Sequence, residues 1–289
     1  MTTQQHTDSA ANYYVPGLSH WPITAAIAMA LLGFGAALSM NHLTGGNVLL
    51  LLGFVVLFVM FAGWFSTVAH ESESGMYNHQ VGMSFRWGMS WFIFSEVMFF
   101  AAFFGALGYI RMYSVPDLGS LEHQQLIWPG FKGEWPTAGP HFKPGDFTPM
   151  GAWGIPAINT ALLLTSGVTI TIAHWGLLKK NRAQLIWGLA ATIALGMIFL
   201  GFQIYEYMHA YSEMNLKLTS GAYGSTFFML TGFHGFHVTV GTIMLWVILF
   251  RSVAGHFTPE NHFGFEGVAW YWHFVDVVWV LLFVLVYIL

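Results

Sequence analysis

The chain has 289 residues, of which 56% are hydrophobic and only 8% are charged, and its formal net charge is −4. A soluble chain carries about 25% charged residues, so this composition excludes an ordinary soluble surface. The few charges form no acidic or basic tail for nucleic acid, and the absence of cysteine excludes disulfides, thiolate chemistry and iron–sulfur clusters.

Seven apolar stretches are long enough to cross a bilayer, which takes about 20 residues of helix. They cover residues 22–43, 48–69, 81–112, 155–178, 183–210, 222–250 and 267–289. The third, fifth and sixth exceed what a ~30 Å hydrocarbon layer needs, which predicts tilted helices or protruding ends. The sequence therefore predicts an all-α polytopic membrane helix bundle with seven transmembrane helices.

The lysines and arginines predict the orientation, because short cytoplasmic loops carry an excess of them. One side of the predicted bundle holds Arg86, Lys179, Lys180, Arg182 and Arg251. The other side holds Arg111, Lys132, Lys143 and Lys217. Two of these lie in a long loop, and charges in long loops have less influence on orientation. We therefore predict a single membrane domain with a cytoplasmic N-terminal tail at 1–21, an outer loop at 113–154 and a C-terminus on the outer side.

Five ionisable residues fall deep within the predicted spans: Glu96, His234, His237, His273 and Asp276. At 1.5 Å per residue, Glu96 lies about 22 Å into its long helix. Charged groups at this depth are costly and are usually functional or paired. The sequence thus predicts an intramembrane polar cluster.

Several interpretations of these residues stay open. His273 and Asp276 share a helix face and can form one hydrogen-bonded unit. Glu96 is either a protonated carboxyl that ties helices together or a proton-active or lipid-contacting site. The histidines could supply haem ligands from two helices, although nothing in their spacing requires it. Glu206 is expected near the outer end of its span, where an interfacial carboxyl costs little.

The inner loop after the sixth span carries Arg251, His256, Thr258 and His262. Cationic groups and hydroxyls at the membrane face suit a phospholipid headgroup. The alternative is an ordinary basic loop end. Metal-ligand residue types also occur at His70, Glu71, Glu73 and His79, but without a recognisable ligand spacing, so no metal site is predicted.

Several strings resemble subunit III of the haem-copper cytochrome c oxidases. They are FIFSEVMFF at 92–100, GSTFF at 224–228, TGFHGFHV at 231–238, NHFGFE at 261–266 and WYWHFVDVVW at 270–279. The resemblance extends over about residues 20–289. It implies a chain without catalytic residues or a redox centre, which stabilises the catalytic subunit I and sustains its proton uptake. Haems and copper then lie in partner subunits, subunit II belongs to the same complex, and cytochrome c is the substrate of that complex.

The resemblance also implies a two-helix unit at 22–69 and a five-helix unit at 81–289, with a V-shaped cleft that binds phospholipid. The matching lipid-binding positions are Trp64, Phe65, Val68, Glu96, His237, Gly241, Arg251, His256, Thr258, His262, Phe263 and Gly264. Phe65 and Asn261 depart from the mitochondrial pattern, and the chain between the third and fourth spans is longer. These departures predict a bacterial inner membrane location rather than a mitochondrial one.

Three alternative functions remain. The first is subunit III of a quinol oxidase, which is similar to the main interpretation, but such relatives typically lack the first two helices. A self-sufficient proton-coupled transporter could use Glu96, His234 and Asp276 as a relay, although the sequence shows no paired broken helices. A haem-binding membrane anchor is the third.

Overall fold

A computed structural model describes residues 14–142 and 147–289, which contain helices, turns and loops but no strand. Residues 1–13 of the predicted inner tail, and Lys143, lie outside these ranges. Seven helices are long and apolar enough to cross a membrane, as predicted. They are α1 (Trp21–Met40), α2 (Gly46–Glu73), α3 (His79–Tyr109), α4 (Ile155–Leu178), α5 (Arg182–Ser212), α6 (Gly221–Ala254) and α7 (Phe263–Leu282).

Two of these helices continue beyond their α-helical part through a π turn. Helix α3 passes through Ile110–Ser114 into a short helix at Val115–Leu118, and α7 ends in the π turn Phe283–Ile288. The third candidate span therefore runs over His79–Leu118. The helix therefore continues through residue 113, where we predicted that the outer loop begins, and that boundary stays a prediction. A further short helix, Leu121–Leu126, follows it.

The described residues form two compact units, which are divided between Phe85 and Arg86. In the first unit, α1 and α2 pack with their backbones close together. A Cβ added to Gly46 would lie 2.4 Å from the backbone nitrogen of Ser39, and one added to Gly35 would lie 2.6 Å from that of Leu50. Small residues thus permit this approach, as they do between many membrane helices. The predicted domain boundaries stay predictions.

The second unit packs around Trp272, whose side chain is 0% exposed. Its indole Nε1 donates a hydrogen bond to Ser166 of α4, at 2.8 Å. A Cβ on Gly196 of α5 would lie 2.8 Å from the ring, and one on Gly241 of α6 would lie 3.0 Å from it. One side chain of α7 therefore contacts the three other helices α4, α5 and α6.

The segment between α3 and α4 is bound to the start of α6. The backbone nitrogens of Ala222 and Tyr223 donate to the carbonyls of Ala138 and Thr137, each at 3.0 Å. Gly221 has φ +70°, and a Cβ there would lie 1.8 Å from the carbonyl oxygen of Ala138. Only glycine fits at position 221. The segment between α3 and α4 therefore packs directly against the start of α6.

Substitution Gly196→Ala should lower the free energy of unfolding by about 1–3 kcal/mol, because the buried Trp272 ring must shift. The matched control is Gly201→Ala in the same helix, where a new Cβ meets nothing within 4 Å. That control should be neutral or slightly stabilising, since Ala favours helix over Gly. Thermal unfolding of both variants in detergent tests the comparison, and equal effects would contradict the packing role of Trp272.

Candidate functional site

Glu96 and His237 meet within the second unit. Oε2 of Glu96 lies 3.0 Å from Nε2 of His237, and the two side chains are 22% and 10% exposed. Phe100 is in edge contact with the imidazole, with ring centroids 5.1 Å apart. The pair therefore joins α3 to α6 in a largely apolar setting.

The hydrogen-bond pattern limits the protonation states of this pair. Nδ1 of His237 lies 2.7 Å from the carbonyl oxygen of Phe233, an acceptor, so Nδ1 carries a proton. The contact to Glu96 then holds one shared proton, either on the carboxyl as a donor or on the imidazole as part of an ion pair. Both states are neutral overall, which suits a group inside a membrane.

His234 lies apart from that pair, although it shares a helix with His237. Its Nε2 lies 3.1 Å from the carbonyl oxygen of Val275, and its ring packs on Trp279 with centroids 5.1 Å apart. The side chain is fully enclosed between α6 and α7. This histidine packs in the core of the second unit.

His273 and Asp276 are not bonded to each other, so the predicted hydrogen-bonded unit is wrong. Nε2 of His273 lies 3.3 Å from Oγ1 of Thr171. The carboxyl of Asp276 lies over Gly167, where an added Cβ would be 2.4 Å from Oδ2. Both side chains face α4, and His273 remains exposed while Asp276 is buried. Of the five predicted polar residues, Glu96 and His237 bind each other, whereas His234, His273 and Asp276 contact other residues of the second unit.

An ion pair that sequence reasoning missed joins the beginnings of α3 and α7. Nε of Arg86 donates to both carboxylate oxygens of Glu266, at 3.2 and 2.9 Å, and Nη2 lies 2.9 Å from Oε2. The partners are separated by 180 positions in the chain. The only available signal was an arginine and a glutamate near the same predicted membrane face.

The loop after α6 folds over the side chain of Arg251. Its guanidinium carbon lies 4.7 Å from the centroid of the Phe257 ring. A Cβ on Gly264 would lie 3.3 Å from Nη1, so the absence of a side chain there gives the guanidinium room. The charge is therefore held at the end of α6 by a cation–π contact.

The rest of that loop is ordered by local hydrogen bonds. The backbone nitrogen of Asn261 donates to Oγ1 of Thr258, at 3.0 Å, and Nδ1 of His262 lies 3.2 Å from the carbonyl oxygen of Thr258. The His262 ring also packs on His174 of α4, with centroids 5.5 Å apart. His256 is exposed, and Phe263 and Gly264 begin α7.

The remaining predicted lipid positions differ in exposure. Within the first unit, Trp64 and Phe65 are 43% and 67% exposed, and Val68 is partly exposed. Gly241 in the second unit is buried, and its Cα faces the rings of Trp272 and Tyr271. Helix packing therefore accounts for the glycine at 241.

Glu206 lies near the end of α5, and its side chain is enclosed there, since it is only 1% exposed. The linear position near a helix end gave no signal that neighbouring helices enclose this carboxyl.

Residues 14–142 and 147–289 contain no group of three or more His, Asp or Glu side chains that could hold a metal ion.

In the first unit, Glu71 accepts a hydrogen bond from the hydroxyl of Tyr77, at 2.6 Å. Burial and this bond raise the pKa of Tyr77 well above its ordinary value. The pKa of Tyr14 is raised as well, chiefly by its hydrogen bond to Glu71.

The sequence matches the family model described as cytochrome c oxidase subunit III over residues 11–289. It is 40% identical over 270 residues to cytochrome c oxidase subunit 3 of Marchantia polymorpha, covering 93% of each chain. The protein of the same name from Prototheca wickerhamii is 41% identical over 93% of this chain and 94% of its own. That of Lemur catta is 40% identical over 99% of this chain and 94% of its own.

Substitution Glu96→Ala should lower the free energy of unfolding by about 1–3 kcal/mol, because it leaves Nε2 of His237 without its partner. Glu96→Gln should stay close to the wild type, since an amide N–H can donate to the same nitrogen. Thermal unfolding of both variants in detergent measures the difference. An equal loss in the two variants would contradict a hydrogen-bonded role for the pair.

Proposed function

The chain belongs to the cytochrome c oxidase subunit III family, and we propose that it is an accessory, non-redox subunit of such an oxidase. Membership makes it a subunit of an oxidoreductase complex. In our proposal it stabilises the catalytic subunit, binds structural phospholipids and supports proton uptake during oxygen reduction. Haems and copper belong to the partner subunits, and cytochrome c is the electron donor.

The proposed contact with a transmembrane helix of a partner subunit rests on the exposed imidazole of His273. His273 lies about 15 Å from Phe263, the first residue of its candidate span, and hence near the middle of the hydrocarbon layer. Lipid chains offer no hydrogen bonds, so an exposed histidine at this depth is costly. A helix of subunit I with a polar side chain against α4 and α7 would remove that cost.

The residues around His273 fit such a contact. Val277 follows it by one turn on α7, and Val168 and Trp175 lie one turn to either side of Thr171 on α4. These three side chains are between 54% and 60% exposed. They supply apolar area around a polar centre, which is the composition expected where membrane helices associate.

Phospholipid binding forms the second part of the proposal. Arg251 lies at the end of α6 with its guanidinium above Phe257, and Thr258, His262 and Gly264 line the adjoining loop. A planar guanidinium suits a phosphate group. Trp64 and Phe65 on α2 offer exposed aromatic area for acyl chains.

The chain is a multi-pass membrane protein, with seven candidate spans. We place it in the bacterial inner membrane with the N-terminus in the cytoplasm. The distribution of Arg and Lys supports this orientation, because Lys179, Lys180, Arg182 and Arg251 all lie where α4 and α6 end and α5 begins. The presence of α1 and α2 favours a cytochrome c oxidase over a quinol oxidase.

Purification of the chain in mild detergent tests the function directly. Haem absorbance and oxygen consumption with reduced cytochrome c should copurify, and both should leave when partner subunits are stripped. A preference for quinol would identify the quinol oxidase alternative. A colourless chain on its own would favour the transporter, and colour that survives stripping would show a haem on this chain.

Substitution His273→Leu should weaken retention of the chain in the oxidase, because it removes the polar group that faces the partner. His273→Gln should largely restore retention, since an amide can still form hydrogen bonds. The amount of chain per haem after detergent washing measures the effect. If the leucine variant is retained as well as the wild type, docking through the face around His273 is contradicted.

Substitution Arg251→Gln should reduce the phospholipid that copurifies with the chain, because it removes the charge that faces a phosphate. Lys179→Gln is the matched control, since it removes an exposed charge at the end of α4. Lipid counting by native mass spectrometry measures the difference. If both variants lose lipid equally, the effect is general surface charge and the proposed site is wrong.

A further inference from the structure

His273 and Asp276, one turn apart on α7, face the same glycine of α4. A Cβ added to Gly167 would lie 2.4 Å from Oδ2 of Asp276 and 3.6 Å from Nδ1 of His273. The two polar atoms are therefore no farther apart than these two distances combined. The ion pairs between described residues do not include this pair. The gap is thus too wide for a direct bond, but one atom with hydrogen bonds of ~2.7–3.0 Å to each side can bridge it.

The hydrogen bonds of Thr171 determine which nitrogen of His273 carries the proton. The Thr171 hydroxyl donates to the carbonyl of Gly167, at 2.9 Å, and Nε2 of His273 lies 3.3 Å from the same hydroxyl oxygen. Because a hydroxyl has only one proton, the oxygen of Thr171 accepts from Nε2. A neutral imidazole has a single N–H, so Nδ1 is left as an acceptor that requires a donor.

The carboxyl of Asp276 also has bonding capacity that its own chain does not use. Its side chain is 7% exposed, and Oδ1 is enclosed without a hydrogen-bond partner among the described residues. The cost of a charge at this depth favours the uncharged carboxyl, which has an O–H to donate. Asp276 therefore offers a donor beside the acceptor of His273.

The neighbouring hydroxyls of α4 cannot bridge these two groups. Ser166 accepts from the indole of Trp272, at 2.8 Å, and its own proton binds a carbonyl of α4. Thr169 and Thr192 bind each other, at 2.7 Å. The imidazole of His273 is exposed, so a bridging group can reach it from a neighbouring helix.

We propose that a hydroxyl-bearing side chain of a partner helix, from Ser, Thr or Tyr, bridges Nδ1 of His273 and Oδ2 of Asp276. The hydroxyl donates its proton to Nδ1, and its oxygen accepts the proton of the carboxyl. A lipid chain cannot form either bond, and a basic side chain would bring a charge to mid-membrane. The inference rests on the proposed function, because the bridge requires a partner subunit, and it adds the chemistry of the side chain that this subunit presents.

A high-resolution density map of the intact oxidase tests the bridge directly. We expect a hydroxyl oxygen of the partner at ~2.7–3.2 Å from both Nδ1 of His273 and Oδ2 of Asp276. An apolar side chain, a basic side chain or a water at this position would overturn the inference, and so would a direct bond between His273 and Asp276. In each of these cases the chain still sits in an oxidase, so the proposed function stands. A chain that copurifies with no haem subunit would contradict both.

A double-mutant cycle on the purified oxidase provides an independent test. His273→Leu and Asp276→Leu should each raise the dissociation constant of the chain from the complex by roughly 3- to 15-fold. The double variant should show no more than the larger single effect, because both substitutions remove the same bridge. Independent effects that multiply in the double variant would contradict a shared bridging group.

Two further variants separate the bridge from a general effect on packing. Asp276→Asn should restore retention, since a carboxamide can bond to the same hydroxyl. Thr165→Val is the matched control, because the exposed hydroxyl of Thr165 on α4 binds the carbonyl of Ala161 in its own helix, at 2.7 Å, and its loss should have no effect. Failure of the asparagine variant to restore retention, or an equal loss from Thr165→Val, would refute the bridge.

Discussion

The packing of the second unit depends on the indole of Trp272. Apolar side chains gain little by leaving lipid, so membrane helices associate through close packing and hydrogen bonds. Trp272 uses both means: its N–H binds Ser166, and its ring lies against the bare Cα atoms of Gly196 and Gly241. The two glycines permit this contact because they have no side chains. A side chain added at either position would displace the Trp272 ring, which lies among α4, α5, α6 and α7.

Polar side chains then select which helices are neighbours. Glu96 binds His237 across α3 and α6, and the indole nitrogen of Trp279 donates to Thr160 across α7 and α4, at 3.0 Å. Each bond satisfies a group that lipid could not. His273 and Glu206 differ in exposure: the imidazole of His273 is exposed, whereas the carboxyl of Glu206 is enclosed.

The sequence predicted which polar residues lie within the candidate membrane spans more accurately than it predicted which residues they contact. Glu96 and His237 were identified as intramembrane polar residues, and they meet. His273 and Asp276 share a face, yet their side chains contact Thr171 and lie over Gly167 of α4 instead of each other. An i, i+3 spacing places two side chains on one side of a helix. The helix that packs there decides which bonds they form.

The sequence by itself determined the seven membrane spans and the family, because apolar length and contiguous motifs are local properties of the chain. Only the tertiary structure decided that Arg86 binds Glu266, that Glu206 is enclosed, and that α7 ends in a π turn. Each of these depends on which helices are neighbours and how each is rotated about its axis. That information lies in contacts between residues far apart in the chain, which no local pattern contains.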